Sequence, residues 1–174
     1  MLNLDFSTWS LPFALAQLCS LVSIVFMFLA VTKKSKTQIA FCQGINAGLL
    51  VISNLLLGSI PGAVSNLVAT LRNILVAKKL YTKPVMIITL MIATTLGLVF
   101  NNVGMFGLFV VAGTAQYTIC LYYCKSASSL RYAIIVNCLL WAVHDFYIQN
   151  YPMFLVDVGM VLFTSFEIIK SKQK

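Results

Sequence analysis

The sequence predicts an all-α membrane protein in which seven transmembrane helices form two parallel three-helix repeats joined by a linker helix, a three plus one plus three arrangement. Three observations carry this expectation. The composition is too apolar for water, the apolar runs are separated by connections that alternate in charge, and the chain matches itself at an offset of 91 residues.

Of the 174 residues, 60% are hydrophobic and 9% charged, with a mean hydropathy of +0.95. A water-soluble domain of this size leaves much of its surface wet, so it would have to hide nearly every residue it has. Lipid is the solvent such a chain requires. The net charge of +8 would suggest nucleic acid in a polar protein. Here the basic residues sit in short clusters between apolar runs, a pattern that marks membrane topology and excludes a nucleic-acid partner.

A helix needs about 20 mostly apolar residues to cross the hydrocarbon core, because its backbone amides must be satisfied within the segment. Seven runs qualify, taken as Ser10 to Val31, Gln38 to Leu57, Gly62 to Ala77, Pro84 to Phe100, Gly104 to Tyr123, Ser129 to Ile148 and Met153 to Ile169. The stretch Met1 to Thr8 carries Asp5 and no basic side chain. It lacks the positive start of a secretory signal, so the first apolar run is read as a span. Several runs are short, which implies tilt or local thinning of the bilayer.

The connections fix the direction. Lys33, Lys34 and Lys36 follow the first span, Lys78, Lys79 and Lys83 the third, Lys125 and Arg131 the fifth, and Lys170, Lys172 and Lys174 the seventh. The connections after the second, fourth and sixth spans carry no lysine or arginine. Basic loops resist translocation, so the amino terminus is expected outside and the carboxyl terminus in the cytoplasm. Arg72, inside the third span, is the one basic residue of the 12 that stands apart.

The self-match aligns Lys34-Ser35 with Lys125-Ser126, Asn46 with Asn137, Leu49 with Leu140, Pro61 with Pro152, Leu71 with Leu162 and Lys79 with Lys170, without a gap. Apolar matches alone would mean little between hydrophobic spans, but coincident prolines, asparagines and lysines point to an internal duplication. The repeats run over residues 10–79 and 104–170, with residues 84–100 as linker, in one membrane domain. Three helices are an odd number, so a fourth is needed to give both repeats the same direction across the membrane.

Polar groups at membrane depth face a bundle interior or a water-filled cavity. Asn137, Trp141, His144 and Asp145 form one helical stripe, matched by Asn46, Leu50, Ser53 and Asn54. Asn66, Thr70 and Asn73 form another, matched by Asp157, Val161 and Thr164. From these we expect a solute site of Asn46, Asn66, Asn73, Asn137, Asp157 and Trp141. The bland alternative for each asparagine is an interhelical hydrogen bond. His144 and Asp145 admit proton coupling or gating, although hydration at the headgroup boundary is the favoured reading for them and for Asp157. Arg72 is expected to snorkel towards the cytoplasmic surface or to pair with Glu167.

Cys19, Cys42, Cys120, Cys124 and Cys138 lie in or at the ends of apolar runs, and an odd count implies no disulfide framework. Cys120 and Cys124 share a helical face, but further metal ligands are lacking, so small buried hydrophobes are expected. No cofactor and no metal is predicted. Gly104, Gly107 and Gly113, with Ala112 and Ala115, are expected to let backbones approach closely.

The segment Gly58-Ser59-Ile60-Pro61-Gly62-Ala63, with Asn66 and Leu71-Arg72 after it, and Trp141-Ala142-Val143-His144-Asp145-Phe146 together resemble the YgjV family of bacterial inner-membrane proteins. The likeness covers nearly the whole chain. Asp145 stands where that family's motif carries asparagine. The resemblance implies the location and the fold, and it brings no activity with it. More distantly, the helix wiring is similar to that of SWEET sugar facilitators, PQ-loop proteins and PnuC-type carriers. The proline-glutamine pair of those carriers is absent, and the paired prolines sit at outer turns.

The leading expectation is therefore a carrier of a small polar metabolite through a midplane site. The alternative is a non-transporting membrane subunit or sensor. An intramembrane enzyme is not expected, because the chain has one histidine and no carboxylates paired at matched depth. The partners expected are the lipid bilayer and a small polar metabolite, and assembly as a homo-oligomer is left open.

Overall fold

A computed structural model describes residues 10–32, 36–124 and 127–172. These residues form seven helices: α1 (Leu11–Thr32), α2 (Lys36–Leu56), α3 (Ile60–Ala77), α4 (Lys83–Val99), α5 (Met105–Tyr123), α6 (Ala127–Tyr147) and α7 (Tyr151–Lys172). By length and composition α1, α2, α3 and α5 can cross a membrane, while α4 and the Tyr151–Phe166 part of α7 are apolar but shorter. In α6 the apolar run is diluted by Arg131, Asn137, His144 and Asp145.

The predicted elements are all present, and α3 and α7 each begin two residues earlier than the apolar pattern indicated. The cause is the same in both. Pro61 and Pro152 lie in the first helical turn, where a missing N–H costs nothing and a fixed φ suits the helix. The α2–α3 and α6–α7 turns then repeat each other bond for bond. Ser59 N donates to Asn54 O and Asn150 N to Asp145 O, both at 2.8 Å, and Leu57 N to Ser53 O and Ile148 N to His144 O, both at 3.0 Å. Gly58 and Gln149 occupy the equivalent left-handed position, with φ of 75° and 61°.

The packing closes six helices into a ring in the order α1, α2, α3, α5, α6, α7 and back to α1. The remaining helix, α4, lies outside the ring against α3 and α5. Small residues set some of these approaches. A Cβ on Gly97 would collide with Val111, one on Gly107 with Asn101 and Pro61, and one on Gly113 would crowd Leu140 and Trp141. Gly104 departs from its expected packing role. It caps α5 with φ 58° and open space around it, while Ala112 faces outward.

Polarity runs opposite to that of a soluble globule. Leu11, Phe28, Met91, Leu155, Leu162 and Phe166 are more than half exposed, whereas Ser20, Ser23, Ser53, Asn54, Ser59, His144, Asp145 and Asn150 are buried. An apolar exterior around a polar interior is stable only where the surroundings are themselves apolar.

Candidate functional site

The ring surrounds a partly open cavity of about 750 Å³. Its wall includes Gln43 and Asn46 from α2, Asn66, Arg72 and Asn73 from α3, Thr114 and Tyr117 from α5, Asn137, Trp141 and Asp145 from α6, and Asp157 from α7. All six residues expected at a solute site line it. Of the other stripe residues, Leu50 and Asp145 line it too, and Ser53, Asn54, Thr70, His144, Val161 and Thr164 do not.

Of these, Ser53 ties two helices together, while Asn54 and Thr70 bond back within their own helices. Ser53 and Ser20 hydroxyls meet at 2.8 Å, joining α1 to α2, and Asn54 donates to Leu50 O one turn back at 2.9 Å. Thr70 returns its hydroxyl to Asn66 O at 2.8 Å. Asn46 does both jobs. Its amide donates to Ser23 O on α1 at 2.9 Å while the residue still faces the cavity.

His144 and Asp145 are not hydrated at a boundary, and neither is Asp157; their exposures are 0%, 2% and 5%. His144 Nδ1 lies 3.0 Å from Asp145 Oδ1, and Nε2 lies 2.7 Å from Ser59 Oγ. With an ionised Asp145 accepting from Nδ1–H, Nε2 accepts the Ser59 hydroxyl proton. Ser59 Oγ in turn accepts from Gly62 N at 3.2 Å, capping α3. The absent side chain of Gly62 makes room for this knot, since a Cβ there would collide with Asn54 and His144. The helical stripe identified His144 but not Ser59. The signal was present in Ser59-Ile60-Pro61, a capping serine followed by proline at the start of a helix.

Arg72 does not snorkel. It is buried, with Nη1 donating to Thr118 Oγ1 at 2.9 Å and the guanidinium 5.1 Å from the centre of the Tyr117 ring. Thr118 passes its own hydroxyl to Thr114 O at 2.6 Å, and Tyr81 donates to Thr118 O at 3.1 Å. The expected Arg72 to Glu167 pair cannot be placed, because the Glu167 side chain lies outside the described residues. Sequence reasoning missed the α5 wall altogether. Thr114, Tyr117 and Thr118 recur at steps of three and one, a stripe masked by the glycines beside it.

Two carboxylates share the cavity. Asp145 and Asp157 stand on different helices, yet both line it. Asp145 lies at the end of α6 and Asp157 six residues into α7. The hairpin therefore turns both inward, a juxtaposition that reading depth alone does not show. Among the described residues no group of three histidine, cysteine, aspartate or glutamate side chains is arranged to hold a metal ion.

These features define a helical membrane protein with a largely apolar chamber that several polar side chains enter. The family Imp-YgjV, described as a bacterial inner membrane protein, matches residues 14–174, and the chain belongs to that family. No curated protein and no solved structure matches it. The likeness of wiring to SWEET, PQ-loop and PnuC-type carriers thus has no matching structure behind it.

Proposed function

We propose that the protein is a carrier that moves a small polar metabolite across the bacterial inner membrane, exposing the chamber alternately to its two sides. One observation carries the reading: five helices contribute polar side chains to one partly open cavity of about 750 Å³. Ligand sites for small molecules fall in this size range and combine an apolar wall with a few convergent polar groups. In this reading all seven helices span the bilayer, α1 to α3 and α5 to α7 are duplicated bundles, and α4 is the linker. The matching turn geometry at Gly58 and Gln149, and the peripheral place of α4, support the duplication. The alternation of lysines supports an outside amino terminus and a cytoplasmic carboxyl terminus.

Catalysis forms no part of the proposal. Ser59, His144 and Asp145 are connected in the order that hydrolases use, but Ser59 is fully buried and outside the cavity wall, with its oxygen committed to the α3 cap. A nucleophile needs a substrate atom within reach, and this oxygen has no space before it.

A second reading has its own support. Asn46 and Thr118 join helices through hydrogen bonds, as a non-transporting subunit or sensor would require. Reconstituted vesicles decide between the two. The carrier should take up radiolabelled solutes from a metabolite mixture, and alanine at Asn137 and Trp141 should reduce uptake at least about tenfold, as loss of a buried polar or aromatic contact does. Uptake equal to that of empty vesicles would leave the subunit reading standing. Tags on the two ends labelled from the same side would refute the seven-span topology.

A further inference from the structure

The chamber holds opposite charges that do not meet. Arg72 reaches it from α3, Asp145 from α6 and Asp157 from α7, and each is no more than 5% exposed. Asp145 is engaged by His144. Among the described residues Arg72 makes no ion pair; its Nε and the Oδ2 of Asp157 have no hydrogen-bond partner. Asn66 Nδ2 and Asn73 Oδ1, in the same wall, are also unpaired.

Helix geometry separates the two charges along the membrane normal. Ile60 and Tyr151 open α3 and α7 at the lysine-free turns, and Asp157 stands six residues beyond the second, Arg72 twelve beyond the first. At 1.5 Å per residue the Arg72 backbone lies about 9 Å nearer the lysine-rich side than that of Asp157. No salt bridge joins the two groups among the described residues, and the offset is short enough for one small molecule to span. Trp141, Tyr117 and Leu50 supply flat or apolar wall in the same chamber.

An unpaired ion at membrane depth is strongly disfavoured, so an occupant that answers both charges gains over one that answers neither. A neutral polyol would satisfy the amides and leave both groups without a counter-charge. A simple cation or anion would answer one of them. We propose that the chamber binds a small amphoteric solute, with its cationic group at Asp157 and its anionic group at Arg72. This assignment rests on the carrier reading and narrows its substrate class.

The test uses the full chain in detergent and four kinds of probe: ω-amino acids from glycine to 6-aminohexanoate, pentanoate, pentylamine and sorbitol. Thermal unfolding reads binding, because a ligand that favours the folded state raises the midpoint. The longer ω-amino acids should stabilise the protein, and pentanoate, pentylamine and sorbitol should bind at least about tenfold more weakly, as expected when a buried charge is left unanswered. Arg72→Gln and Asp157→Asn should each remove the ω-amino acid response. If either variant does not fold, the ranking of probes on the unaltered chain decides alone. Sorbitol binding as well as 6-aminohexanoate, or full responses in both variants, would overturn the amphoteric assignment and leave the carrier reading intact. No response to any ω-amino acid would overturn the assignment too, and the vesicle uptake assay would then judge the carrier reading separately.

Discussion

The two lysine-free turns of the ring share a backbone and differ in what they bury. Around the first, Ser59 caps α3, binds His144 across the chamber wall, and leaves Gly62 as the space into which Asn54 and His144 fit. Around the second, 91 residues later, Asn150 is equally buried, but neither side-chain atom has a partner among the described residues, and Met153 stands where Gly62 stood. Ser23 donates to the Met153 sulfur at 3.6 Å. The comparison teaches that hydrogen bonding of the main chain fixes the turn, while the side chains at equivalent places are free to serve different ends. One turn is tied to α6 through a polar knot and the other packs on sulfur.

Substitutions can break that comparison. The largest effect is expected from Gly62→Met, which installs the residue of the second turn in the first. The new side chain meets fully buried groups that cannot swing away, so the loss of stability should exceed about 3 kcal/mol, the upper end for overpacked sites. Little monodisperse protein should survive detergent extraction, and a variant extracted and melting normally would contradict the packing described for Gly62.

Ser59→Ala comes next. It removes a cap and leaves His144 Nε2 unpaired, at a cost of about 2 to 3 kcal/mol in thermal unfolding. Asn150→Ala, its equivalent, should cost less than about 1 kcal/mol, because it removes polar atoms that have no partner among the described residues. Equal losses at the two positions would show that the knot at Ser59 contributes nothing special.

The smallest effects test the shared backbone itself. Gly58→Ala places a Cβ at φ 75° with open space around it, so it should lose only the left-handed penalty of about 1 kcal/mol. Gln149→Gly relieves the same strain in the other turn and should raise the melting midpoint by a similar small amount. Its backbone oxygen would still accept from Gln17 Nε2. Shifts of opposite sign and like size would confirm that the two turns are one structure made twice.

Much of the fold could be read directly because lipid imposes a simple rule. Apolar runs of about 20 residues must be helices, lysines mark the ends on one side, and prolines in the first turn mark where four of them start. The cavity wall was readable in part. Asn46, Asn66, Asn73, Asn137, Trp141 and Asp157 stood out as polar or aromatic groups on helical stripes, and all of them face the chamber. Arg72, His144 and Asp145 stood out too, but their surroundings did not. Near a helix end, a charged residue reads as exposed unless a neighbouring helix is known to cover it, and here α5 covers Arg72 while the α2–α3 turn covers His144.

What the sequence determined on its own was local: helix positions, the basic and neutral connections, the self-match, and which spans carry polar groups. These follow from hydropathy and helical period, which act within a segment. Only the tertiary structure decided that Ser59 meets His144, that Asp145 and Asp157 share a chamber, and that Arg72 rests on Tyr117 and Thr118. Those contacts join residues as far as 85 positions apart. They depend on the order in which six helices close their ring, and hydropathy within any one span carries no record of that order.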